Sequence, residues 1–133
     1  MAPLNRSEKL QRLVAVQRHL ERMAEFDLAE TARQRRELAE TIDRVADAMG
    51  SAKPLHAMFS GHYASQLGRL AQKDSMLHGL QQVHESRVIK ERAKGDRLAE
   101  HVKDARDQEE RAAADEAVFD ILDQRLLLPP DPY

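Results

Sequence analysis

The chain contains no cysteine, which excludes disulfides and thiolate-ligated metal sites. Tryptophan is also missing, and phenylalanine and tyrosine together make up only 4% of the residues. Glycine and proline number five each, so the regular turn signals that punctuate a many-element globule are lacking. No run approaches the roughly 18 consecutive apolar residues of a membrane-spanning helix. The first residues, MAPLNRSEKLQRL, have no signal-peptide apolar core. The expected location is the cytoplasm.

What is present is helix-forming. In a chain of 133 residues, one domain at most, charged types reach 33%. The apolar fraction is largely Ala and Leu mixed with Glu, Lys, Arg and Gln, the strongest helix formers. Such a composition reads as long helices or coiled coil. The net charge of −2 is unevenly spread. Residues 1–49 hold nine basic and nine acidic side chains, residues 50–100 eight and five, and residues 101–133 four and nine. The densest basic patch, RVIKERAKGDR at 87–97, reads either as a solvated helix face or as an electrostatic dock for an acidic protein surface. Nucleic acid suits it less, because Glu91 and Asp96 interrupt it and no aromatic side chain offers a stacking surface.

Helical spacing starts near Asn5 and runs through Leu10, Leu13, Leu20, Ala24, Leu28, Leu38, Ile42, Val45 and Met49. The two successive steps of four from Leu20 to Ala24 to Leu28 predict a stutter. From Leu28 the alternation of three and four is clean, through Thr31 and Arg35. Asn5 with Glu8 resembles a capping box. MGSAKP then ends the helix, with Gly50 suited to a left-handed position and Pro54 unable to continue the ladder. Ser60 is a candidate cap for a second helix. From Tyr63 a heptad seam runs through Leu67, Leu70, Asp74, Leu77, Gln81, His84, Val88, Glu91, Gly95, Leu98, Val102, Ala105, Glu109, Ala112, Glu116 and Phe119.

The expected fold is therefore all-α, a long antiparallel two-helix coiled-coil hairpin in one domain over 1–133. Its elements are a helix at 5–49, a turn at 50–61 that has room for one helical turn, a helix at 62–124 and an irregular tail at 125–133. Because the first helix is shorter, roughly the last 20 residues of the second should be unpaired at helical rise. LLLPPDPY closes the chain, with 126–128 either a frayed apolar end or a docking tag.

A thin helix pair encloses no water-excluding pocket, which catalysis generally needs. No catalytic, cofactor-binding or metal-binding residues are expected. His78 and His84 are six residues apart, about 240° around a helix, and cannot share a metal ion. His19, His56, His62 and His101 form no ligand pair at helical spacing either. The stretch KDSMLHGLQQVHESRV, residues 73–88, instead carries surplus apolar surface. Leu77, His84 and Val88 lie on the seam, while Met76, Leu80 and Val83 form a second stripe roughly 80–100° away. That stripe either widens the packing, buries in a homodimer or docks a partner.

Three features together resemble the flagellar export protein FliJ family and its relatives in virulence-type type III secretion. They are the N-terminal helix LQRLVAVQRHLERMAEFDLAETARQRRELAETI, the turn followed by HYASQLGRLAQKDSMLHGLQQVHESR, and the charged DQEERAAADEA. The resemblance implies a small cytoplasmic coiled-coil protein of bacterial motility and protein transport, peripheral to the membrane through partners only. It implies a central stalk that inserts into the hexameric export ATPase ring, links it to the transmembrane export gate and binds export chaperones. On the family's 4-3-4 spacing the partner-binding strip falls on Leu77, Leu80 and His84. Lys73 stands where the family has an aromatic residue. With Met76 and Val83 from the second stripe, these are the candidate partner-binding residues. The stalk's ends, 5–20 and 105–124, would enter the ring. The competing readings are an unrelated coiled-coil scaffold or adaptor, such as a homodimeric four-helix bundle, and a nucleic-acid-associated helical protein.

Overall fold

The computed structural model describes residues 3–51, 53–127 and 129. It contains three helices, α1 (Arg6–Met49), α2 (Pro54–Met58) and α3 (Ser60–Leu127), and no strand among the described residues. α1 and α3 pack together through cross-helix bonds along their lengths.

The boundaries follow from local chemistry. Asn5 caps α1: its Oδ1 accepts the Glu8 amide at 2.9 Å, and its carbonyl accepts the Lys9 amide at 3.1 Å. At the other end Gly50 is not left-handed, contrary to expectation, since no described glycine has positive φ. Its amide continues the helical pattern to the Ala46 carbonyl at 3.0 Å. The chain leaves the helix one residue later, and Pro54 opens α2 at a position where a missing amide costs nothing. Ser60 lies inside α3 rather than capping it, because the Phe59 carbonyl already accepts the Tyr63 amide at 2.9 Å. α3 also runs to Leu127, past the expected 124. Pro129 disfavours helix only at the residue before it, which leaves the helix formers up to Leu127 free to continue. Most of the expected irregular tail lies outside the described residues.

The chain divides into two compact units, Met1–Gln17 with Lys94–Tyr133, and Arg18–Ala93. In the Arg18–Ala93 unit the buried residues are Ala24, Thr31, Leu38 and Val88. Half-buried Leu28, Ile42 and Val45 of α1 and Leu67, Leu70 and Leu77 of α3 extend the same lines. Polar groups sit among them. Arg35 donates from Nε to Asp74 Oδ1 at 3.1 Å, and from Nη1 to Gln81 Oε1 at 3.0 Å and His78 Nδ1 at 3.1 Å. Further along, Arg87 meets Asp27 at 3.3 Å and Arg92 meets Glu25 at 2.8 Å. Within this unit, partner positions on α3 fall as those on α1 rise.

The other unit buries Ser7, Gln17, Gly95, Val102 and Ala105, with Leu10, Val14 and Leu98 half-buried. Glu109 serves as a cap supplied from α3. Its Oε2 accepts the Ser7 hydroxyl at 2.7 Å and its Oε1 accepts the Ser7 amide at 2.9 Å, a first-turn donor of α1 with no partner inside the helix. Every residue from Glu110 through Leu127 is exposed, so this end of α3 is helical without burial.

The expected stutter is absent. The covered positions of α1 are Ser7, Leu10, Val14, Gln17, Glu21, Ala24 and Leu28, at strictly alternating steps of three and four. Leu13 is 52% exposed and Leu20 36%. Hydrophobicity favours the Leu13–Leu20 stripe, but polar seam positions win because their groups are satisfied, Ser7 by Glu109 and Glu21 by Arg92 at 3.5 Å.

Two outcomes follow. In urea denaturation, Val14→Ala should cost about 1–2 kcal/mol and Leu13→Ala under about 0.5 kcal/mol. A larger loss at Leu13 would restore the stutter. The Ser7 hydroxyl, then the Ser7 amide, hold the Glu109 carboxyl below the usual carboxylate range. A lowered carboxylate pKa supports the fold above the unfolded value and is lost as pH falls through the folded one. Protection of the Ser7 amide, measured as its exchange rate relative to the intrinsic rate at the same pH, should therefore fall on acidification below the ordinary carboxylate pKa, and Glu109→Gln should remove that pH dependence.

Candidate partner-binding surface

The six candidate residues do not share one surface. Leu77 and His84 face α1 and are half-buried, and His84 Nδ1 is sealed from solvent without a hydrogen-bond partner. Leu77 joins Leu38 and Leu70 in an open groove of about 300 Å³, edged by Lys73 from α3 and by Gln34, Glu37 and Thr41 from α1. Met76, Leu80 and Val83 stand outside the seam, 76%, 44% and 62% exposed. Each sits one residue before a seam position, about 100° around the helix. The surface-available set is therefore Lys73, Met76, Leu80 and Val83, and the packing of α1 on α3 occupies Leu77 and His84.

The α1 edge of this surface is acidic but internally satisfied. Arg33 bonds both Glu30 and Glu37 along α1. This holds the Glu30 carboxyl below its ordinary range, through the Arg33 hydrogen bond first, and raises the Arg33 guanidinium further. On the opposite side of the seam Arg35, Asp74 and Gln81 line another open groove with Ala32, Ala39 and Ile42, of about 440 Å³. The Arg35 cluster was missed as a unit, although Arg35 and Asp74 each stand out as charged residues at seam positions. Two such mismatches in one unit are a signal for a cross-helix pair.

The basic run at 87–97 is largely committed internally. Arg87 is paired with Asp27, Arg92 with Glu21 and Glu25, and Lys94 also has a partner. Among the described residues no group of three or more His, Asp or Glu could hold a metal ion, and no helix is long and apolar enough to cross a membrane. A second apolar surface lies near the end of α3, where Val118, Phe119, Ile121, Leu122 and Leu126 are each at least half exposed. Acidic Asp115, Glu116, Asp120 and Asp123 alternate with them.

No family model, no curated protein and no solved structure matches this chain.

The division between available and occupied residues has a direct readout. Leu80→Lys should change stability by no more than about 0.5 kcal/mol, because the side chain already stands in water. Leu77→Lys should cost about 2 kcal/mol or more by forcing a charge against Leu38 and Leu70. Equal losses in thermal melts would place Leu80 in the core.

Proposed function

We propose that this chain is a cytoplasmic accessory stalk of a type III or flagellar protein-export apparatus, an antiparallel two-helix coiled-coil hairpin that acts only by contact. In this reading the end carrying residues 6–17 and 105–127 enters a hexameric export ATPase ring. The strip at Met76, Leu80 and Val83 meets the transmembrane export gate, and export chaperones bind along the same helices. The chain performs no catalysis; asymmetric side-chain contacts bias the ring between conformations and so promote hydrolysis.

The observation that carries the proposal is the end of α3. It stays helical to Leu127 with no residue after Glu109 covered by α1, while presenting Val118, Phe119, Ile121, Leu122 and Leu126 outward. A helix end with an apolar face and no internal use for it is suited to insertion between subunits. The resemblance to the FliJ family supports the identity of the ring. A second reading, a self-pairing coiled-coil adaptor, draws on the exposed strip at Met76, Leu80 and Val83 and predicts a dimer in sedimentation, whereas the stalk should sediment as a monomer.

The test is a pulldown and ATP-hydrolysis assay with a flagellar or type III export ATPase from the same organism. The full chain should bind the hexamer and raise its turnover. Phe119→Asp with Leu122→Asp should lose both effects, while Met76→Ala with Leu80→Ala should retain them and lose binding to the gate. If the Leu80 variant abolishes ATPase binding and leaves gate binding intact, the two surfaces are assigned the wrong way round. No ATPase binding by the unaltered chain removes the proposal.

A further inference from the structure

The exposed strip of α3 continues at both ends into cations. Arg69 and Lys73, then Met76, Leu80 and Val83, then Arg87 and Lys90 follow one another at steps of four and three, so all seven lie on one face of the helix. No acidic residue occupies that face between 69 and 90. Arg69, Lys73 and Lys90 make no hydrogen bond or ion pair among the described residues, and Arg87 is engaged by one contact to Asp27 at 3.3 Å. Glu37 of α1, which shares an open groove with Lys73, is bonded to Arg33.

We propose that this face seats an amphipathic helix of a partner protein whose apolar centre is bracketed by acidic residues. The proposal deepens the reading of the strip as a partner contact and rests on it. Three apolar side chains in a single line match the 3–4 ridge of one helix rather than a broad surface. From Lys73 to Lys90 the face runs about 26 Å, the length of roughly five helical turns. Carboxylates at the partner's two ends would meet Arg69 with Lys73 and Lys90 with Arg87, which orients the helix and rejects basic competitors. A second copy of this chain fits poorly, since laying the face on itself sets cations against cations in either direction. An anionic membrane also fits poorly, because Asp27 and Glu37 border the same face and no aromatic side chain lies in it.

The test uses the full chain and two labelled synthetic helical peptides. Both carry leucines at 3–4 spacing in the centre; one has glutamates at its ends, the other lysines. In fluorescence anisotropy the glutamate peptide should bind at least about tenfold tighter, with the preference shrinking as salt is raised. Arg69→Glu with Lys73→Glu should erase the preference. Leu80→Glu should abolish binding of both peptides, and circular dichroism should show unchanged helix content in each variant. Equal binding of the two peptides overturns the proposal. So does a peptide-free dimer that Leu80→Glu dissociates, or binding to phosphatidylserine vesicles with the same dependence on Arg69 and Lys73. Because no export ATPase is present, the two readings fail separately. A chain that selects the glutamate peptide but ignores the ATPase keeps this inference and loses the stalk; the reverse result keeps the stalk alone.

Discussion

In each of the two units a narrow line of burial between α1 and α3 supports the rest, and it is shallow. Of the described apolar residues only Ala24, Leu38, Val88, Val102 and Ala105 are buried, and no side chain among the described residues is both large and fully enclosed. Each helix has one neighbour, so it can cover one stripe at 3–4 spacing and must leave the rest of its circumference to water. Met76, Leu80 and Val83 are exposed for that reason, as are Leu13 and Val16 on α1. A chain built this way has apolar surface left over as a direct consequence of its architecture.

Apolar burial alone would not hold the helices in register, because seam residues repeat every seven positions and a slip by one repeat restores much of the contact. The polar groups in the seam remove that freedom. A slip that moved Arg35 off Asp74 and onto Gln81 and Val88 would leave a charge half-buried without its partner, at several times the cost of an ordinary surface pair. Ser7 and Glu109 act similarly in the unit formed with Lys94–Tyr133, where the carboxylate caps the start of α1. Polar seam positions weaken the apolar contact and specify the alignment.

The same economy governs charge. Of the cations in the run at 87–97, Arg87 and Arg92 are turned to acids of α1, and Arg33 holds two glutamates on its own helix. Of the cations that flank the apolar strip of α3, Arg69 and Lys73 at one end and Lys90 at the other are uncommitted. Open cations at the two ends of an apolar strip bias which partner that strip accepts.

The helices themselves, the break near Gly50 and Pro54, and the seam of α3 were readable from the sequence because they depend on local propensity and on one dominant apolar line, Leu67, Leu70, Leu77, Val88, Leu98 and Val102. The seam of α1 was readable from Leu28 through Thr31, Arg35, Leu38, Ile42 and Val45, but not before it, because Leu13, Val16, Leu20 and Met23 offer a rival stripe more apolar than Leu10, Val14, Gln17 and Glu21. No property of α1 alone chooses between them. The choice is made by what α3 brings opposite, Glu109 for Ser7 and Arg92 for Glu21, and a bond between residues a hundred positions apart leaves no local trace. The family resemblance grouped Lys73, Leu77, Leu80 and His84 as one strip, whereas helical spacing placed Leu77 and His84 on the seam, where packing half-buries them. Local chemistry decided where the chain is helical. Which face of each helix is covered, and so which face is left for a partner, was decided by the neighbour it packs against.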